Sequence, residues 1–119
     1  MQRVLGILIS LGLSVVVWAG ETISEGWLAK GTKWETPFYV RVSGQDGPTV
    51  VITGGIHGNE PAGARAAEQI RHWSITRGRL VVIPQANIPG LRDGTRFLPG
   101  EPPSRRDLNR QFPKTKMAA

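Results

Sequence analysis

His57 and Glu60 stand three residues apart in the run Gly54-Gly55-Ile56-His57-Gly58-Asn59-Glu60-Pro61. The apolar stretch 49–52 leads into them, and Pro61 suits the first turn of a helix, where its missing N–H costs nothing. An imidazole and a carboxylate placed where a strand ends and a helix begins can both turn onto one metal ion. Zinc takes nitrogen from neutral His and oxygen from Glu at about 2.0–2.2 Å. An ion held there lowers the pKa of a bound water to about 7 and polarises a carbonyl. His beside a carboxylate favours zinc over magnesium. The bare spacing is a weak signal, and a hydrogen-bonded loop histidine is the bland alternative. The flanking Gly-Gly and Gly-Asn-Glu-Pro sharpen it, because glycine lets the backbone turn tightly and leaves space above a strand end.

A second constellation is Asp107-Leu108-Asn109-Arg110. An Asn amide beside an Arg guanidinium offers several donors, which suits a substrate carboxylate. Arg96, within Thr95-Arg96-Phe97, is a further positive group that can meet a developing oxyanion. The competing reading pairs the arginines with Asp93, Glu101 or Asp107 as surface ion pairs, worth about 0–1 kcal/mol each. That reading is preferred for Arg92, Arg105 and Arg106.

These groups need elements to hold them. Residues 37–42 are aromatic and β-branched and predict a strand; residues 43–48 are a turn punctuated by Gly and Pro. Residues 49–52 predict a second strand, whose unbroken apolar run implies burial on both faces. Residues 62–73 predict a helix with Ala64, Ala67 and Ile70 on its inner face, and residues 79–84 a third buried strand. Strand, helix and strand form a βαβ unit, normally parallel and right-handed. His57 then stands at the carboxyl end of its strand, where ligands collect in open α/β sheets. Glu60 stands at the helix N-terminus, where the dipole favours its charged form. Residues 86–107 read as one long functional loop. Residues 21–33 fit either a strand or a short helix, and the tail after Pro113 reads as frayed.

The 119 residues allow one domain. A short positive start, an apolar run over residues 4–17 and small residues before Gly20 have the layout of a secretory signal peptide over 1–19. The rival is an uncleaved membrane anchor, although the run is short of the about 20 residues a spanning helix needs. The expected location is exported: periplasmic, extracellular or at the cell surface. Contact with membrane is expected only through the export signal. There is no cysteine, so disulfides are excluded. Residues 1–70 carry five basic and six acidic groups, and residues 71–119 ten basic and three acidic, so the net +6 sits in the second half. Nucleic acid is not expected as a partner, because no aromatic residues interleave with the arginines as a stacking platform.

Taken together, Gly54 to Glu60, the strand at 78–84, Thr95-Arg96-Phe97 and Asp107 to Pro113 resemble the zinc carboxypeptidase superfamily, and within it the succinylglutamate desuccinylase/aspartoacylase branch. The resemblance runs from about Gly44 to Pro113. It implies an α/β fold, with a mixed, largely parallel sheet flanked by helices, of which residues 20–119 supply an incomplete N-terminal portion. It implies Zn2+ bound by His57 and Glu60, with Arg96 polarising the scissile carbonyl. Asn109 and Arg110 would hold the carboxylate of a small substrate or peptide C-terminus, and Asp107 would brace the loop. The implied reaction is hydrolysis of an N-acyl amino acid or a C-terminal peptide bond by metal-activated water.

Two departures stand out. The family places Asn-Pro after the third strand, whereas Ile88 separates Asn87 from Pro89 here. The family's third ligand, a His, and its general-base Glu come from well downstream of Asp-Leu-Asn-Arg, and the nine residues after Arg110 contain neither. His72 lies twelve residues beyond Glu60, near the far end of the same helix, about 18 Å away at 1.5 Å per residue. Glu68 also reads as structural, and nothing specific marks Glu101 as a base. The expectation is a chain inactive by itself. The alternative is a noncatalytic exported module that grips carboxylated ligands.

Overall fold

In the computed structural model, residues 4–9, 13–18 and 20–113 are described. Strands β1 (Val4–Ile9) and β2 (Leu13–Trp18) form an antiparallel ladder of their own. The signal-peptide reading of 1–19 concerns side chains and a cleavage point outside the described residues, as does the tail after Pro113. Among the described residues, no helix is long and apolar enough to cross a membrane.

The main sheet has four strands: β3 (Thr22–Leu28), β4 (Thr36–Val42), β5 (Thr49–Thr53) and β6 (Arg79–Ile83), in the order β3-β4-β6-β5. The ambiguous segment 21–33 is therefore a strand followed by a turn. Thr32 shapes that turn by donating its hydroxyl to the Ala29 carbonyl at 2.7 Å, which returns the chain antiparallel along β3. Helix α1 (Pro61–Ile70) links β5 to β6, and those two strands are parallel, as the βαβ reading requires. Pro61 does open the helix, with Glu60 at its N-cap. The helix is shorter than expected. Arg71, His72 and Trp73 follow it in a tightened turn, with Trp73 N–H on the Ile70 carbonyl at 2.9 Å.

The expectation of a largely parallel sheet is corrected: β3–β4 and β4–β6 are both antiparallel. A short turn reverses the chain between β3 and β4, and the crossover through α1 then drops β6 between β4 and β5, running against β4. Nor, among the described residues, do helices pack along both faces. The helix that packs along the strands is α1, against β5 and β6. Its Ala67 meets Leu80 and Val82, with Ile52, Ile70 and Ile75 around them. Ala64 is buried too, so the predicted inner face is the observed one.

The expectation that the 49–52 strand is buried on both faces also fails. β5 is an edge strand, and Val50 and Val51 are 48% and 59% exposed. At the other end of the sheet, Arg41 ties α1 to the strands. Its Nε donates to the Arg71 carbonyl at 2.9 Å and its guanidinium pairs with Glu21, which also accepts the Ile75 N–H at 2.9 Å.

Candidate metal centre

The two parallel strands set the site. Beyond β5 and β6 their pairing continues: Gly54 N–H donates to the Ile83 carbonyl at 2.8 Å, Ala86 N–H to the Gly54 carbonyl at 2.9 Å, and Asn87 N–H to the Gly55 carbonyl at 3.0 Å. Gly55 has φ +64, a conformation that glycine adopts without steric cost, and it turns the chain out of the sheet. His57 comes next, and the Glu60 N–H returns to its carbonyl at 3.1 Å. The turn therefore holds the His and Glu side chains on one side, at the carboxyl ends of both strands.

The two groups converge. His57 Nδ1 lies 3.4 Å from Glu60 Oε2. Two donors bound at about 2.1 Å to one tetrahedral ion stand about 3.4 Å apart, so the pair fits adjacent coordination positions. The other ring nitrogen, Nε2, lies 3.2 Å from Asp107 Oδ1. With a metal on Nδ1, a carboxylate there would hold the ring proton on Nε2. The imidazole is only 10% exposed, whereas Glu60 is open to solvent.

Charge follows from these contacts. The Glu60 carboxyl is held below its ordinary value by the hydrogen bond with His57 first, and then by Arg96. For Asp107, desolvation pushes the carboxyl up, but hydrogen bonds from His57 and from the Asn109 N–H outweigh it and leave the value lowered. Both groups are anions at neutral pH, as metal ligation and its support require. Among the described residues, no group of three or more His, Cys, Asp or Glu side chains could hold a metal. Asp107 cannot serve as a third donor to the same ion, because it stands on the opposite edge of the ring.

Asp107 is the residue whose place sequence reasoning only half found. It braces its loop as expected, accepting the Asn109 N–H at 3.0 Å at the head of a 3₁₀ turn, Leu108–Arg110. It also orients His57, fifty residues away in the chain. Asn87 was missed altogether. It is fully buried, donates from Nδ2 to the Ile56 carbonyl at 3.2 Å, and accepts the Gly90 N–H at 2.9 Å. It caps α2 (Ile88–Asp93), a helix inside the segment expected to be a continuous loop. The inserted Ile88 is the first residue of that helix and Pro89 lies in its first turn, so Asn-x-Pro was a readable N-cap signal.

Gly58 explains how α2 reaches the site. A Cβ there would strike the Gly90 backbone and the Thr95 carbonyl oxygen. Close approach at this point carries Arg96 to Glu60, with which its Nη1 pairs through Oε1. Arg96, expected at a substrate carbonyl, rests on the Glu60 carboxylate. Asn109 and Arg110 lie on the exposed 3₁₀ turn beside Asp107, and among the described residues Arg110 has no carboxylate within ion-pair distance. Arg92 pairs with Asp93 at 2.7 Å and Arg105 with Glu101 at 3.6 Å, as the surface reading expected. Arg106 instead stacks over Phe97 at 4.5 Å. Glu101 also meets Lys33 at 3.6 Å, and His72 stays beside Glu68 at 3.7 Å. None of these four is drawn to the His57–Glu60 pair.

A parallel strand–helix–strand unit brings a His and a Glu together over its carboxyl edge, with a distant Asp behind the His, in part of an α/β domain. Residues 46–118 match the succinylglutamate desuccinylase/aspartoacylase catalytic domain, and the chain belongs to that family. It is 34% identical over 71 residues to the N-alpha-acetyl-L-2,4-diaminobutyric acid deacetylase of Halomonas elongata, a match covering 57% of this chain and 20% of that one. An aspartoacylase family protein from Mesorhizobium loti superposes with a TM-score of 0.62 at 29% identity, over 79% of this chain and 31% of its own. The ectoine utilization protein EutE of Ruegeria pomeroyi, solved with product bound, superposes with a TM-score of 0.61 at 25% identity, over the whole of this chain and 36% of its own. The chain thus spans about a third or less of the length of the relatives it matches.

Proposed function

We propose that this chain is the part of a zinc-dependent amide hydrolase that contributes two metal donors, His57 Nδ1 and Glu60 Oε2, and the groups that receive a carboxylate-bearing substrate. The 3.4 Å approach of those two atoms, with Nε2 turned to Asp107, is the observation that supports it. When bound, zinc would supply a water acidic enough to attack at neutral pH. Asp107 keeps the imidazole in the tautomer that can donate its Nδ1 lone pair. Arg96 leaves Glu60 for the carbonyl oxygen as negative charge develops on it, a role suited to a guanidinium. Arg110 and Asn109 receive the substrate's carboxylate on the neighbouring turn. The substrate class is an N-acyl amino acid, in line with the deacetylase from Halomonas elongata; a peptide C-terminus offers the same carboxylate. Export through residues 1–19 is part of this proposal.

The chain alone has little or no hydrolase activity, because a two-donor site holds zinc poorly beside a three-donor one. The test is zinc calorimetry on the full chain and on His57→Ala, with an assay of amino acid release from N-acetyl amino acids. Zinc binding that disappears in the variant is expected, with no release by either. Zinc affinity untouched by His57→Ala would overturn the site. Turnover by the wild-type chain that is lost in the variant would overturn its inactivity. Tight binding of the N-acetyl amino acid without zinc would instead favour the noncatalytic module, for which the supporting observation is that Arg110, among the described residues, has no carboxylate within ion-pair distance.

A further inference from the structure

Asn87 has no solvent exposure, and every polar group it carries is engaged. Its backbone N–H donates to the Gly55 carbonyl at 3.0 Å, and its side-chain Nδ2 donates to the Ile56 carbonyl at 3.2 Å. One residue thus holds two successive carbonyls of the turn that carries His57. A peptide unit is planar, so fixing a carbonyl fixes the plane to which it belongs. The two planes held here lie on either side of the Ile56 Cα, and the second of them includes the His57 N–H. With both set, the chain enters His57 in one direction, the one that brings the imidazole to Glu60.

The remaining groups of Asn87 serve α2. Its Oδ1 accepts the Gly90 N–H at 2.9 Å, and its carbonyl accepts the Leu91 N–H at 2.9 Å. The amide is packed against Gly90, where a Cβ would strike its Nδ2, Cγ and Oδ1, and Gly58 presses on the carbonyl of that same glycine. The Gly90 carbonyl also receives the Thr95 N–H at 2.9 Å, which closes α2 directly before Arg96. From one buried amide, one path therefore runs to His57 and another to Arg96. A residue that served only as a helix cap would need an acceptor alone, and Ser, Thr or Asp supplies one equally well. The donor on the Ile56 carbonyl is what the amide adds. We propose that Asn87 is the positioning residue that sets the His57–Glu60 pair and Arg96 in register, its Nδ2 arm serving the donors and its Oδ1 arm serving Arg96. This rests on the hydrolase reading above.

Two substitutions separate the arms. Asn87→Ser keeps a capping oxygen for the Gly90 N–H but withdraws the donor from the Ile56 carbonyl. Asn87→Ala withdraws both. Leu80→Ala, in the core under α1 and at the other end of β6, is the control for lost stability alone. Amide hydrogen exchange by NMR on the metal-free full chain, read against each protein's urea midpoint, reports the geometry, and zinc calorimetry reports the donors. Asn87→Ser is expected to speed exchange of the Glu60 N–H, which rests on the His57 carbonyl, by about tenfold beyond the change in global stability, and to leave the Thr95 N–H protected. Asn87→Ala should speed both. Zinc affinity should fall by about tenfold in both Asn87 variants and hold its wild-type value in Leu80→Ala. Gly90→Ala keeps Asn87 but drives a methyl into its amide, and should reproduce the Glu60 and zinc losses even where an Asn87 variant fails to fold. Glu60 exchange and zinc affinity that match the wild type in Asn87→Ser or Gly90→Ala would overturn the proposal, as would losses no larger than those of Leu80→Ala at equal stability. Zinc affinity unchanged by His57→Ala would sink the hydrolase site instead, while the exchange pattern still decides what Asn87 holds.

Discussion

Gly58→Ala probes the one contact on which both halves of the site depend. The backbone conformation at 58 suits any residue, since its φ is not among the positive values, so alanine meets no torsional penalty. What is missing is room. The new methyl would lie inside the Gly90 carbonyl group and against the Thr95 carbonyl oxygen, both backbone atoms with no side-chain freedom to yield. The His57–Glu60 turn must therefore part from α2 and from the segment that delivers Arg96. Overpacking of this kind costs about 1–3 kcal/mol. The same movement pulls on the Asn87–Ile56 hydrogen bond, already 3.2 Å long, and on the 3.4 Å gap between Nδ1 and Oε2. Gly20→Ala is the control. Among the described residues nothing lies within 4 Å of a Cβ there and its φ is ordinary, so it should stay within about 0.5 kcal/mol of the wild type. Urea unfolding followed by circular dichroism, with zinc calorimetry on each protein, reads both effects. Gly58→Ala should unfold at a lower midpoint and bind zinc more weakly. A Gly58→Ala protein matching the wild type in midpoint and zinc affinity would refute the reasoning, because the turn would then not be pressed against α2.

Two further outcomes follow from the same geometry. Asp107→Asn keeps an acceptor for the Asn109 N–H but withdraws the charge from His57 Nε2; zinc affinity should fall by about 10–100-fold, measured by calorimetry, while far-ultraviolet circular dichroism stays unchanged. An unaltered zinc affinity would remove Asp107 from the site. The Glu68 carboxyl is lowered chiefly by the hydrogen bond from Arg71, with His72 nearby at 3.7 Å. Its stabilising contribution is therefore complete above the ordinary value of 4.5 and fades as pH drops through the lower folded value. This exposed pair is worth under about 1 kcal/mol. Urea midpoints of wild type and Glu68→Gln should differ at neutral pH and merge in acid; a gap that widens in acid would reverse the sign.

Features carried by neighbours in the chain were legible in the sequence. Pro61 announces the first turn of α1, and the spacing of Ala64 and Ala67 announces its buried face, because a helix repeats every 3.6 residues whatever surrounds it. The placement of His57 and Glu60 at a strand end and a helix start is local for the same reason. Burial of the 49–52 strand was not legible. An apolar run looks alike whether its faces are covered or exposed, and only the tertiary structure shows Val50 and Val51 exposed on an edge strand. The sense of the sheet lay beyond local pattern too, because it depends on where the crossover sets β6 down relative to β4.

By itself the sequence determined the two candidate donors, the helix behind them and the family. The tertiary structure alone decided what holds those donors. Asp107 reaches His57 across fifty residues, Arg96 reaches Glu60 across thirty-six, and Asn87 reaches the Ile56 carbonyl across thirty-one. Hydrogen bonds of that span leave no periodic trace in a chain. They exist because α2 and the 3₁₀ turn are folded back over the carboxyl ends of two parallel strands, and that return path is a property of packing rather than of any run of residues.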